Sequence, residues 1–349
     1  MSSRKPATMS DVAKRAGVSA ATVSNVLAGK KPVDPDLAVR VRRAAAELDY
    51  QIDRAASRLR GGKSKVIGVI VPSLDNTFFT SLIAAIERAL QSEGYDIIVA
   101  SAKDDDAVER TRLTAMLSWR PAGIIIVPTD DVFNNRDLLD FSGVPYVVLD
   151  RVGTDLAADI VAIDNAKAAR EAAEHLIGLG HGDIWVVASS LKLANIRQRC
   201  EGVRAACQDA RIGAPKILEV GMTFDAVAER LEGQFAASGR PSAVIALTNF
   251  VTMGVLAAFP KNGISMPADI SLVGFDDYAW MAATTPSITA VRQPVNSMGT
   301  AAWECLRNRI AGETSPQVRL QLSCHLKIRQ STRAVTRPVD HNDAAKSVG

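Results

Sequence analysis

What the chain lacks narrows its class before any motif is read. No apolar run approaches the roughly 18 residues of a membrane span, so no transmembrane helix and no membrane partner are expected. Arg4 and Lys5 open the chain, but the ATMSDVAKRAG that follows is charged and supplies no signal-peptide core, so the expected location is cytoplasmic. The four cysteines, Cys200, Cys207, Cys305 and Cys324, form no CxxC and no tight framework, and read as reduced, buried thiols. His175, His181, His325 and His341 are scattered without metal-ligand spacing, so neither a metal nor a cofactor is expected. There is no GxSxG elbow and no paired nucleophile and base, which argues against an enzyme. Gly178-Leu179-Gly180-His181-Gly182 sits between helix and strand, the wrong order for a phosphate cradle, and reads as a helix stop. Gly62-Lys63-Ser64 ends like a P-loop, but Ser57 stands where the first glycine is required.

What is present is an ordinary globular composition, 47% hydrophobic and 23% charged, over 349 residues. That length holds two to three domains. The net charge of +3 hides an uneven distribution. Residues 1–65 hold 14 Lys and Arg against 6 Asp and Glu, while the remainder holds 27 against 32. A basic head on an acidic body points to a head that meets a polyanion; a solvated basic tail is the plainer alternative.

The head has clear helix punctuation. Thr8 and Asp11 form an approximate capping box, and Gly17 stops the helix after about two turns. Ser19 caps a second short helix, Ala20 to Leu27. Two short helices joined by a Gly-containing turn are a helix-turn-helix signature. On the second helix Val23, Val26 and Leu27 share the core face, leaving Ala20, Ala21, Ser24 and Asn25 exposed. Asn25 can pair with adenine in a major groove, and the hydroxyls of Thr22 and Ser24 suit phosphate. A small helical bundle with a polar face would show the same periodicity. Gly29-Lys30-Lys31-Pro32 is a basic loop, and Asp34-Pro35 starts a third helix. The segment Asp53 to Arg60 is too short to be a stable helix alone. Its one large apolar residue, Leu59, suits either a minor-groove wedge or packing on the next domain.

From Val66 onward, apolar runs alternate with helical stretches. One set holds 66–71, 96–101, 123–127 and 146–149; a second holds 159–163, 184–188, 217–220, 243–247 and 270–274. Continuous apolar strands between helices predict parallel sheets covered on both faces, here two doubly wound subdomains with a cleft between their strand ends. VIGVIVPSLDN and AGIIIVPTDD look like repeats of one strand-loop unit. Polar groups gather after the strands: Asp75, Asn76 and Phe78, then Asp150-Arg151, Arg197 and Arg199, Asn249, and Asp276-Asp277 with Trp280 nearby. Each alone would be a helix cap or a surface charge. Together at strand ends, carboxylates, amides and rings suit a polyhydroxylated ligand.

The chain resembles the LacI/GalR family of transcription regulators. The motifs are Ser10-Asp11-Val12-Ala13, Ala16-Gly17-Val18-Ser19, Thr22-Val23-Ser24, Leu48 with Tyr50, Ala56 with Leu59, and Ile67-Gly68-Val69, and the likeness continues to about Arg333. The resemblance implies a homodimer on a palindromic DNA operator, with DNA contacts at Ser19, Ala20, Ala21, Thr22, Ser24, Asn25, Lys30, Arg58 and Leu59. It implies effector contacts at Asn76, Phe78, Asp150, Arg199, Asn249 and Asp276, and crossings between subdomains near Asp164, Arg292 and Cys324. The expected fold is an all-α helix-turn-helix head on an α/β periplasmic-binding-protein-like core. Its expected parts are a DNA-binding domain over 1–51, a hinge over 52–65, an effector domain over 66–333 and a polar tail over 334–349. Within the core, 66–164 with 293–324 form one subdomain and 165–292 with 325–333 the other. Six positions depart from the family pattern. Ala20 and Ala21 are smaller than usual, Leu37 replaces a hydroxyl, Ile52-Asp53 replaces Pro-Asn, and Phe250 replaces an Asp. The tail lacks a leucine heptad, which predicts a dimer and not a tetramer. The implied function is repression of carbohydrate genes relieved by a sugar. A corepressor-dependent repressor taking a purine or phosphorylated sugar is the first alternative, and a solute-binding module without DNA function the second.

Overall fold

The computed structural model describes residues 7–28, 33–50, 64–153, 156–231, 234–237 and 239–335. The chain divides into a head, residues 1–64, and a body, residues 65–349. Among the described residues no helix is long and apolar enough to cross a membrane.

The head contains α1 (Met9–Ala16), α2 (Ala20–Ala28) and α3 (Pro35–Glu47). Thr8 and Asp11 close a full capping box: Asp11 N donates to Thr8 Oγ1 at 3.3 Å, and Thr8 N donates to Asp11 Oδ2 at 2.8 Å. Gly17 ends α1 at φ 66°, a conformation costly for any residue with a Cβ. Ser19 Oγ accepts from Thr22 N at 3.1 Å and so starts α2. Asp34 caps α3, and Pro35 fills its first turn. Val12, Val23, Val26, Val41 and Ala44 form the buried centre, with Leu27, Leu48 and Tyr50 packed around it. Arg40 donates to Ala16 O at 2.7 Å, tying α3 to the end of α1.

The body builds two lobes. The first opens with β1 (Val66–Val71), α4 (Thr77–Gln91), β2 (Asp96–Ser101), α5 (Asp106–Ser118), β3 (Gly123–Ile126), α6 (Arg136–Ser142), β4 (Tyr146–Leu149) and β5 (Asp159–Ile163). The second holds α7 (Asn165–Gly178), β6 (Ile184–Ala188), α8 (Ala194–Asp209), β7 (Lys216–Glu219), α9 (Phe224–Leu231), α10 (Gln234–Ala237), β8 (Ala243–Ala246), α11 (Asn249–Lys261), β9 (Ser271–Phe275), α12 (Ala279–Ala283) and β10 (Thr289–Arg292). The chain then returns to the first lobe for α13 (Val295–Ile310) and β11 (Arg319–Leu322), and ends in the second with β12 (His325–Lys327).

The sheet orders are β11-β5-β4-β3-β1-β2 and β12-β10-β9-β8-β6-β7. Among the described residues all pairings are parallel except β10 with β12. Strands covered on both faces need no alternation, and β1, β3, β8 and β9 are buried at every residue. The orders make β1–β5 the counterpart of β6–β10. The repeat therefore runs from lobe to lobe, whereas the look-alike segments at 66–76 and 122–131 belong to β1 and β3, side by side in one sheet. The strand at 159–163, which opens the second apolar set in the sequence, is β5 and completes the first sheet against β4 and β11.

Candidate functional site

In the head, the start of α2 presents Ser19, Ala20 and Ala21 to solvent, with Thr22, Ser24 and Asn25 half-buried beside them. The Ser19 and Thr22 hydroxyls lie 2.9 Å apart and share a hydrogen bond. Ala20 and Ala21 expose only methyl groups there, which can touch a thymine methyl but cannot hydrogen-bond a base edge. Lys30, Arg58 and Leu59, the other expected DNA contacts, lie outside the described residues, as does most of the expected hinge.

In the body, a cavity of about 420 Å³ lies between the lobes where the strands end. That is within the ~300–1,000 Å³ common for small-molecule sites. Asn76, Phe78, Asp150, Arg199 and Asp276 all line it, so residues far apart in sequence converge as expected. Topology is the cause. Asp150 follows β4 and Asp276 follows β9, the equivalent strands of the two sheets. Each backbone N–H bonds to the adjacent strand, Asp150 to Val161 O at 3.1 Å and Asp276 to Val291 O at 2.9 Å. Both turn through left-handed backbone, φ 60° and 72°, which aspartate tolerates better than most residues.

The electrostatics centre on Arg199, only 2% exposed. Its Nε donates to Asn165 Oδ1 at 2.9 Å, its Nη1 donates to Leu247 O at 2.6 Å, and its guanidinium lies 3.8 Å from the Phe275 ring centre. Asp150 and Asp276 both feel its charge. Burial nevertheless pushes both carboxyls above the usual carboxylate range, with Arg199 opposing the shift. Asp276 accepts from Asn249 N at 3.1 Å and from Gln293 Nε2. Asp150 Oδ2 accepts from Asn195 Nδ2 at 3.0 Å. Asp150 Oδ1 and Gln293 Oε1 are buried acceptors with no hydrogen-bond partner among the described residues. Met222, Phe224 and Phe250 add apolar surface to the second lobe's side of the cavity.

Two expectations change. Asn249 does not line the cavity: its Nδ2 donates to Thr77 Oγ1 at 3.2 Å and its Oδ1 accepts from Trp280 Nε1 at 3.3 Å, leaving neighbours Thr248 and Phe250 on the wall. Arg197 is turned away, paired with Asp131 at 2.7 Å and donating to Leu191 O and Lys192 O. Asn76 has a second task as cap of α4, accepting from Phe78 N at 3.0 Å. The sequence reading missed Asn195 and Gln293. Asn195 sits four residues, one helical turn, before Arg199 on a helix already singled out, which is the signal that could have found it. Gln293 follows a strand too short to stand out.

Residues 8–53 match the family described as "Bacterial regulatory proteins, lacI family", and residues 173–332 match "Periplasmic binding protein-like domain". The transcriptional regulator PtxS of Pseudomonas putida is 30% identical over 95% of this chain and 97% of its own length. The chain belongs to the LacI family. The ribose operon repressor of Escherichia coli is 29% identical over 93% of this chain and 99% of its own length. Among solved structures, a Lac repressor dimer bound to operator and the anti-inducer ONPF superposes with a TM-score of 0.84 at 27% identity, covering 95% of this chain and 100% of that one. The LacI-family architecture, a helix-turn-helix head before two parallel-sheet lobes, is thus shared across nearly the whole chain.

Proposed function

We propose that this protein is a homodimeric, sequence-specific DNA-binding repressor controlled by a neutral, polyhydroxylated ligand, a sugar, held between the lobes. It contacts operator DNA through α2 and acts where the DNA is, in the cytoplasm. The observation that carries the ligand class is the cavity's balance of charge and hydrogen bonding. The carboxylates of Asp150 and Asp276 share the buried guanidinium of Arg199, the second buried arginine of the wall, Arg151, is paired with Asp104, and two buried acceptor atoms, Asp150 Oδ1 and Gln293 Oε1, call for donors. Sugar hydroxyls supply donors without charge, and Phe78, Phe224 and Phe250 put aromatic residues in the cavity wall. A phosphorylated corepressor fits less well, because Arg197 is engaged outside the wall and Arg199 already faces two carboxylates. A ribose operon repressor among the relatives supports the sugar reading. In the switch, ligand changes the angle between lobes and so the spacing at which a dimer presents its two α2 helices. A coupling of about 3 kcal/mol would give roughly 100-fold regulation.

The test is selection from a random DNA pool by the purified protein at two salt concentrations, followed by a thermal-shift screen of neutral sugars against sugar phosphates. The expected result is one enriched palindrome, with affinity falling steeply with salt, and stabilisation by a neutral sugar that weakens DNA binding. No enriched sequence would overturn the DNA reading. Stabilisation by phosphates alone, with tighter DNA binding, would replace the inducer by a corepressor.

A further inference from the structure

Asp131 lies outside the cavity wall and was not among the expected site residues, yet its loop is built with unusual firmness. The loop follows β3 in the first lobe. Glu109, fully buried on α5, pins both ends: Thr129 N donates to Oε2 at 2.7 Å and Asn135 Nδ2 donates to Oε1 at 3.0 Å. Burial also pushes the Glu109 carboxyl above its usual range. Inside the loop, Asp130 Oδ1 accepts from Val132 N and Phe133 N, and the Phe133 ring is buried. The Asp131 carbonyl accepts from Gly153 N at 3.2 Å, and a Cβ on Gly153 would lie only 2.8 Å from that oxygen.

Held this way, the Asp131 carboxylate reaches the second lobe. Oδ1 accepts from Ala194 N at 2.6 Å, and Oδ2 pairs with Arg197 Nη2 at 2.7 Å. The helix it meets lacks a cap of its own, because the N-cap residue of α8 is Leu193, which makes no side-chain cap bond. A carboxylate from one lobe thus caps a helix of the other, where the helix dipole favours negative charge. Asn195 on the same turn adds the bond to Asp150, and Arg199 follows one turn later.

We infer that Asp131 is a positioning residue that clamps the first turn of α8 across the cleft and sets the closed form of the two lobes. The inference deepens the reading of the cleft as a ligand site and rests on it only for its consequence. A cleft held closed before ligand arrives lends affinity to whatever fits it, since a ligand binds weakly to a form that is scarcely populated.

The experiment is amide hydrogen exchange on the full-length, ligand-free protein, so its outcome is independent of any DNA or sugar result. Asp131→Ala should raise exchange at least about tenfold in residues 191–199 and in 148–153, on opposite sides of the cleft, while β8 and α13 keep wild-type protection. Asp131→Asn, which keeps an acceptor for Ala194 N–H but no charge for Arg197, should fall between. Arg197→Gln, at a half-exposed side chain, should move both segments in the same direction by less, and decides the matter should Asp131→Ala not fold. Faster exchange confined to 128–134, or to the start of α8 with 148–153 unmoved, would reduce Asp131 to a local loop or cap residue and overturn the clamp.

Discussion

Asp150 is only 5% exposed and Asp276 is partly buried, and burial raises both carboxyls despite the guanidinium of Arg199. A carboxyl that holds its proton more tightly when folded makes folding take up protons. Stability then falls as pH rises from the ordinary carboxylate range toward the raised value, and stays lower above it. Removing one of these charges should therefore help the ligand-free fold at neutral pH. Asp150→Asn is expected to gain about 1 kcal/mol at pH 7.5 and little at pH 4.5, measured by urea unfolding at both pH values. The same substitution should weaken sugar binding, a trade of stability for function. A loss of equal size at both pH values would contradict the burial account. Arg199→Met removes the one cation that acts on both carboxylates, leaving Arg151 near Asp150 alone. It should cost about 3 kcal/mol or more at pH 7.5, and less in acid, where both carboxyls protonate.

At the scale of elements, α8 supplies Asn195 and Arg199 to the site, and one residue lets it do so. Gly202 faces α7 so closely that any side chain would strike the Ala166 backbone. That approach brings Asn165, at the start of α7, within reach of Arg199. Gly202→Ala should therefore cost about 2 kcal/mol by overpacking and also loosen ligand binding, which calorimetry on the folded variant would show. The sequence made much of this architecture legible. Buried parallel strands such as β1 and β8 announce themselves as apolar runs, and caps such as Thr8-Asp11 and Asp34 mark helix starts because their chemistry is local. β10, β11 and β12 were not legible. They are short, and β11 and β12 are only partly buried, so no apolar run betrays them. The cavity lining was legible where a residue ends a strand, as Asp150 and Asp276 do. It failed where a side chain chooses among partners: Asn249 turned to Thr77 and Trp280, and Arg197 to Asp131. Those choices depend on which lobe faces which, and sequence spacing carries no record of that.

For the whole molecule, the division into head and body predicts separable behaviour. A chain starting at Lys65 should melt cooperatively and keep sugar binding while losing DNA binding, since both sheets lie beyond that point. Electrophoretic mobility shift and a calorimetric scan on the same preparation would check both halves of that statement. The threading of the body has a consequence for how the chain is made. The first sheet takes its edge strand from residues 319–322 and its covering helix from 295–310, while the second sheet waits for 325–327. On the ribosome, therefore, neither lobe can be finished until almost all the chain has emerged, whereas the head has every residue it needs within the first 64. From the emergence of β6 until nearly the end of synthesis, the nascent polypeptide carries a folded head and two incomplete sheets with open edges. A stop codon before residue 319 would leave both sheets short of a strand, the state in which such edges seek pairing in other molecules.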